Sequence, residues 1–230
     1  MKIIWSAVIA LSLLTCSTQS FAETNKLVVE DCHIDGIKQQ VQCGTLQVPE
    51  NYQQAEGEQL KIHFVVIPAI DRTQNKEPLM FLAGGPGQAA AEIAASLRQG
   101  FTQVRKTRDL ILVDQRGTGK SHPLQCEEVE GTNPYSSVPE DLNVDDIKHC
   151  LAQFSGDLSQ FNTENAIRDF DAVRAALGHE KIAIYGGSYG TRAGLVYMRM
   201  FPDALSAVVL DSVGPIEVPI GTFGKSSARS

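Results

Sequence analysis

The run Lys181–Tyr185 (KIAIY) has the character of a short buried strand, and it passes without a linker into Gly186-Gly187-Ser188-Tyr189-Gly190. From about Tyr189 to Phe201 the spacing becomes helical and stops before Pro202. A strand that turns into a helix through glycines and one serine has few ways to fold: strand and helix must pass very close, and the serine is left at the apex of the bend. Neighbouring segments extend the pattern. Asp109–Asp114 (DLILVD) is apolar without alternation, as suits a strand covered on both faces. Thr163 is a fitting N-cap for a helix over 164–177, where Ile167, Phe170, Val173, Ala176 and Leu177 recur at helical spacing and Gly178 closes it. Ala207–Leu210 (AVVL) starts a further strand that ends at Asp211. Alternating strands and helices predict an α/β fold, a mainly parallel sheet with crossover helices.

Upstream, Lys61–Ile67 (KIHFVVI) is a β-branched run closed by Pro68, and Leu79–Ala83 (LMFLA) is closed by Gly84-Gly85-Pro86-Gly87. A small-residue helix is expected around 88–99. Residues 23–59, with turn signals at Asp35-Gly36 and Pro49-Glu50-Asn51, read as short strands and loops. The polar stretch 119–160, holding Pro123, Pro134 and Pro139, reads as an irregular insertion with one short helix. With 43% hydrophobic and 20% charged residues in 230, the chain can bury the core of one domain and is no disordered tail. A net charge of -7 without a concentrated basic face excludes a nucleic-acid partner.

The first 22 residues read as a secretory signal: Lys2, the apolar stretch Ile3–Leu14, and the small-x-small site Ser20-Phe21-Ala22. That leaves 23–230 as the folded unit. The apolar stretch is shorter than the ~20 residues of a bilayer span, so no stable membrane insertion is expected and the product is periplasmic or secreted. Leu13-Leu14-Thr15-Cys16 offers the alternative of a lipoprotein acylated at Cys16. Without the leader, Cys32, Cys43, Cys126 and Cys150 remain, an even number in an oxidising setting, and two disulfides are expected. Three connectivities are open. The local pairs Cys32–Cys43 and Cys126–Cys150 are favoured, each loop contributing about 3 kcal/mol on the loop-entropy model. Neither C-x-x-C nor H-x-x-x-H spacing occurs, so no metal site is expected, and nothing calls for a nucleotide or flavin cofactor.

The serine turn also carries chemistry. Ser188 would project its hydroxyl above the sheet, and the start of the following helix would offer unpaired N–H groups and a positive dipole end where an oxyanion forms. Gly84-Gly85-Pro86-Gly87, after an earlier strand, stands where a second oxyanion donor would come from. No G-K-[ST] follows it, which excludes a phosphate-binding P-loop.

Three motifs in order, Ala83-Gly84-Gly85-Pro86-Gly87, Asp114-Gln115-Arg116-Gly117-Thr118-Gly119-Lys120-Ser121 and Gly186-Gly187-Ser188-Tyr189-Gly190-Thr191, resemble the prolyl-iminopeptidase and tripeptidyl-aminopeptidase branch of the α/β-hydrolase fold. The resemblance spans roughly 40–225. It implies an exported serine exopeptidase that cleaves at the N-terminus of peptides through an acyl-enzyme. Ser188 would be the nucleophile, and the backbone N–H groups of Tyr189 and Gly85 the oxyanion hole. Asp114 to Ser121 would be a loop that shapes and stabilises the site. Iminopeptidases usually carry His before Gly-Gly-Pro-Gly; Ala83 stands there, which leans towards the tripeptidyl-aminopeptidase group, and the position of Cys126 agrees with that group.

Such a serine needs a base, normally His held by a carboxylate, and in this fold the order is Ser, acid, His. All five histidines, His33, His63, His122, His149 and His179, precede Ser188, and each reads as an ordinary packed or solvated residue. Asp211 is a possible triad acid, although a capping or structural role suits it better. Too few residues follow Ser188 to hold the lid, acid and histidine, so the chain reads as the front portion of such an enzyme, with little turnover of its own. The alternatives are an esterase or lipase on the same fold and a non-catalytic binding domain. Epoxide-hydrolase or dehalogenase chemistry would place Asp where Ser188 stands. Substrate length, side-chain preference at the cleaved bond and oligomeric state are not encoded in any readable motif.

Overall fold

A computed structural model of the chain describes residues 27–74, 76–126 and 144–217. The expected leader with Cys16, and the part of the polar excursion holding Pro134 and Pro139, lie outside these residues. Within the described residues seven strands form one sheet: β1 (Leu27–Cys32), β2 (Val41–Pro49), β3 (Gln59–Ile67), β4 (Leu79–Leu82), β5 (Leu110–Val113), β6 (Ile182–Gly187) and β7 (Leu205–Asp211). Their order across the sheet is β1-β2-β3-β5-β4-β6-β7. The pairs β1–β2, β2–β3 and β3–β5 are antiparallel, whereas β5, β4, β6 and β7 run parallel to one another. Among the described residues four α-helices accompany the sheet: α1 (Ala94–Gly100), α2 (Val144–Leu151), α3 (Thr163–Ala176) and α4 (Tyr189–Met200). Among the described residues no helix is long and apolar enough to cross a membrane.

The continuous apolar character of β5 has the meaning expected of it. Ile111 and Val113 belong to the core on one face of the sheet, with Ile167, Phe170 and Val173 of α3 and Ala193 and Tyr197 of α4. Leu110 and Leu112 belong to the core on the other face, with Ala90, Ala91 and Ala94 at the entry to α1. A strand sandwiched in this way has no solvent face on which to place a polar residue. The polar N-terminal region supplies β1 and the nine-residue β2, in which Leu46 and Val48 point inward between less buried Thr45, Gln47 and Pro49. Cys32, which faces Val41 across the β1–β2 pair, is bonded to Cys43 on β2, and Cys126 is bonded to Cys150 on α2.

Two helix starts differ from expectation, each because a side chain elsewhere intervenes. The helix expected from about 88 begins as a 3₁₀ turn at Ala91–Ile93 and becomes α-helical only at Ala94. Asp114, at the end of β5, accepts the Ala91 N–H at 2.8 Å through Oδ1 and so fixes where the turn begins. The cap of α3 is Asn162 rather than Thr163: its side chain accepts the Asn165 N–H, while the Thr163 hydroxyl is paired with the Tyr189 hydroxyl at 2.8 Å. The other end of α3 closes as expected, with Gly178 N–H bonded to Ala175 O and His179 N–H to Arg174 O.

One charged residue ties the loops above the sheet together. The Arg116 side chain is fully buried, and its Nε and Nη2 donate to the two carboxylate oxygens of Asp169 on α3, both at 2.7 Å. Nη1 donates to the carbonyls of Glu50 (2.7 Å) and Gln160 (3.1 Å), and Nη2 also to that of Pro49 (3.2 Å). All five guanidinium N–H groups thus find acceptors. Tyr52 adds a hydroxyl donated to Asp169 at 2.8 Å. Burial pushes the Asp169 carboxyl up, and the Arg116 fork and Tyr52 oppose that rise. Removing one partner of a buried ion pair strands the other, so Asp169→Ala should cost about 3–5 kcal/mol in urea unfolding, whereas replacing both, Arg116→Met with Asp169→Leu, should cost clearly less than Asp169→Ala alone. Equal losses for the single and double variants would show that stranded charge is not the cause.

Candidate active site

The bend between β6 and α4 is forced by backbone contact. A Cβ on Gly186 would lie 2.3 Å from the carbonyl oxygen of Gly190, and one on Gly190 would lie 2.0 Å from the carbonyl oxygen of Leu82 at the end of β4. These atoms are main chain and cannot step aside, which is why both flanking positions of the serine motif are glycine. Between them Ser188 has φ 53° and ψ −120°, a conformation that costs a non-glycine residue of order 1–3 kcal/mol. Three hydrogen bonds hold it there. Its N–H donates to Asp211 O at 2.9 Å, and its carbonyl accepts from Thr191 N (2.9 Å) and Thr191 Oγ1 (2.6 Å). Thr191 is fully buried, and its hydroxyl also accepts the Gly214 N–H at 2.9 Å, which ties the segment after β7 to the same turn.

Ser188 opens into a cavity of ≈ 260 Å³ lined by Gly85, Pro86, Ser188, Tyr189, Arg192, Ser212 and Gly214. Strand order explains why these residues meet. From β4 the chain crosses to β5 on one side, and it later returns to β6 on the other, so the loops after β4 and β6 diverge from adjacent carboxyl ends and leave a crevice between them. Gly84 backs onto the bend: a Cβ built there would be 3.4 Å from Ser188 Cβ. Tyr189 opens α4, where the first N–H groups have no partner within the helix and the dipole is positive. The residues singled out as nucleophile and as two oxyanion donors, Ser188, Tyr189 and Gly85, therefore line one cavity.

None of the five histidines lines that cavity. His63, on β3, is buried and its Nδ1 lies 2.8 Å from Asp114 Oδ2. His33 shares a separate cavity with His63. His122 packs against Phe161 with ring centroids 5.9 Å apart, and His149 is exposed on α2. His179 follows α3, where burial lowers its pKa. Asp211 accepts hydrogen bonds from the Tyr185 hydroxyl and from Ser212 Oγ, and both hold its carboxyl below the usual range. Among the described residues no group of three or more His, Cys, Asp or Glu could hold a metal ion.

The loop from Asp114 to Ser121 reaches the site indirectly. Asp114 accepts from Ala91 N, beyond the Gly84–Gly87 turn, and from Lys120 N at 3.3 Å, while Ser121 Oγ accepts the His63 N–H at 2.9 Å. The pairing of His63 with Asp114 was not legible in sequence, because the two residues are 51 apart and meet only when β3 pairs with β5. Arg192 was also missed, although its place four residues after Ser188 on a helix start was the signal available.

Because Thr191 holds the Ser188 carbonyl, Thr191→Val keeps the shape and removes the hydroxyl. It should lower stability by about 1–3 kcal/mol in urea unfolding with the far-ultraviolet circular dichroism unchanged. A variant as stable as the parent would mean that the bend does not depend on that hydroxyl.

The chain is similar to known proteins over most of its length. The chain is 30% identical over 207 residues to a tripeptidyl aminopeptidase of Streptomyces lividans, covering 80% of this chain and 37% of that protein. It is 32% identical over 195 residues to the serine protease Hip1 of Mycobacterium tuberculosis, covering 77% of this chain and 37% of that protein. The chain therefore spans little more than a third of the length of these curated relatives. An α/β hydrolase structure from Novosphingobium aromaticivorans superposes with a TM-score of 0.51 at 17% identity, over 81% of this chain and 49% of that one. The model of the alpha/beta hydrolase fold matches residues 77–223, which run from the strand before the glycine turn to beyond the strand after Ser188, and the chain belongs to the α/β-hydrolase family.

Proposed function

We propose that the chain carries the nucleophile and oxyanion hole of an exported serine aminopeptidase that hydrolyses peptide bonds near a free N-terminus. The observation that carries this reading is Ser188, held at positive φ at the mouth of a cavity that it shares with Gly85 and Tyr189. Ser188 Oγ attacks the scissile carbonyl carbon, and the carbonyl oxygen becomes an oxyanion that accepts from the Tyr189 and Gly85 N–H groups. The proton lost from the Ser188 hydroxyl is passed to the leaving nitrogen, so that collapse of the tetrahedral intermediate breaks the C–N bond, expels the amine and leaves an acyl-enzyme, which water hydrolyses in a second step. The kinship to an aminopeptidase and a serine protease supports peptide over ester substrates. The leader-like residues 1–22 and two cystine pairs support export.

The base that takes the serine proton is assigned to no residue of this chain, since no histidine lines the cavity. Asp211 serves the bend through its backbone carbonyl, which takes the Ser188 N–H, and its carboxylate is engaged by Tyr185 and Ser212. Turnover by the 230-residue chain should accordingly be several powers of ten below that of a complete triad, with the residual rate coming from the oxyanion hole. The test is a fluorophosphonate probe with mass mapping of the labelled peptide, alongside hydrolysis of N-terminally free peptide amides and p-nitrophenyl esters. Slow labelling confined to Ser188 and lost in Ser188→Ala is expected. Labelling elsewhere, or peptide turnover that survives Ser188→Ala, would overturn the assignment.

A further inference from the structure

Arg116 and Arg192 are treated very differently: Arg116 is fully buried and Arg192 half-buried, and Arg192 shares with Arg98 and Arg105 a buried guanidinium nitrogen that has no hydrogen-bond partner. Arg116 has an acceptor for every guanidinium N–H. Arg192, on α4 one turn beyond Ser188, has one: Nη2 donates to Ile216 O at 2.7 Å. Its Nη1 is buried and has no hydrogen-bond partner, and no carboxylate is paired with it among the described residues. Glu217, next to Ile216, is exposed and makes no ion pair with Arg192, and Asp211, five residues before Ile216, is engaged by Tyr185 and Ser212. Arg192 is also the one charged side chain among the residues that line the Ser188 cavity.

A buried donor on a permanent cation costs free energy unless an acceptor arrives, and the acceptor that fits a planar guanidinium fork best is a carboxylate. The cavity is small, ≈ 260 Å³, with the nucleophile at one wall and the fork at another. It admits one amino-acid side chain or the end of a short peptide. We propose that Arg192 is a specificity-determining residue that binds a substrate carboxylate beside the carbonyl that Ser188 attacks. This rests on the reading of Ser188 as nucleophile. Two sources present the same chemistry in that position: an acidic side chain on the residue whose carbonyl is attacked, and the C-terminal carboxylate of a very short peptide.

The experiment measures binding, so that it does not depend on turnover. The full chain carrying Ser188→Ala is titrated calorimetrically with two matched pairs: Ala-Ala-Glu amide against Ala-Ala-Gln amide, and Ala-Ala-Ala free acid against its amide. In one pair the charged member should bind about 10- to 100-fold more tightly, the range of a charge-assisted hydrogen bond. That pair identifies the source. Arg192→Gln should bring the two members within about twofold of each other, and Arg192→Lys should keep part of the preference, since it retains charge without the fork. Equal affinity within both pairs on the Ser188→Ala chain overturns the proposal without any Arg192 variant having to fold. A preference that persists undiminished in Arg192→Gln overturns it as well. Because the binding arm lacks the serine hydroxyl, a carboxylate preference found together with failure of probe labelling would count against the nucleophile and uphold the role of Arg192.

Discussion

The contact on which the molecule turns is backbone against backbone: Gly190 at the start of α4 lies so close to the Leu82 carbonyl that a single added carbon would sit 2.0 Å from it. That approach brings the end of β4 and the start of α4 together, and Gly186 passes under Gly190 to complete the bend. With α4 seated so low on the sheet, Ser188 has no relaxed conformation left to it. The strain is distributed over the Asp211 carbonyl on β7 and both donors of Thr191, so neighbouring parallel strands hold the residue in place. The same packing sets the Gly84–Gly87 turn beside the serine, since that turn begins where Leu82 ends.

Around this hard point the loops are fixed by buried charge. Arg116 and Asp169 join the end of β2, the loop after β5 and helix α3, and His63 with Asp114 joins β3 to that loop and to the entry of α1. Ion pairs in such places are poor sources of net stability compared with apolar packing, but each is costly to leave half made. They therefore act as geometric selectors: only one arrangement of the loops satisfies all five Arg116 donors. Arg192 does not follow that rule, and it lines the cavity of Ser188. Arg98 and Arg105 also keep an unpaired buried nitrogen, but in a different cavity; what sets Arg192 apart is that its unpaired donor belongs to a residue lining the cavity of Ser188.

The strands were legible because apolar runs bounded by Gly and Pro have one interpretation when they alternate with helical spacing. Leu79–Leu82, Leu110–Val113 and Ile182–Gly187 fall where their patterns put them, and the alternate burial of Leu110, Ile111, Leu112 and Val113 follows from a run with no polar break. Helix starts were less legible. Ala91 is where its turn begins because Asp114, 23 residues away, accepts its N–H, and Asn162 displaced Thr163 as cap because Tyr189 engages the Thr163 hydroxyl. Both depend on partners that are remote in sequence, and local propensity carries no information about them.

The candidate site divides in the same way. Sequence alone determined that Ser188 sits at a strand-to-helix bend with a glycine turn as its companion, because the glycines record a steric demand at their own positions. It also determined the family, through three short motifs in a fixed order. Only the tertiary structure decided which residues surround that serine. The crossing of the chain from β4 to β5 and back to β6 puts Gly85, Ser212 and Arg192 around one cavity and sends every histidine elsewhere. An arginine in a helix reads the same whether its guanidinium is satisfied or not. The difference between Arg116 and Arg192 exists only in the acceptors that folding brings, or fails to bring, within reach.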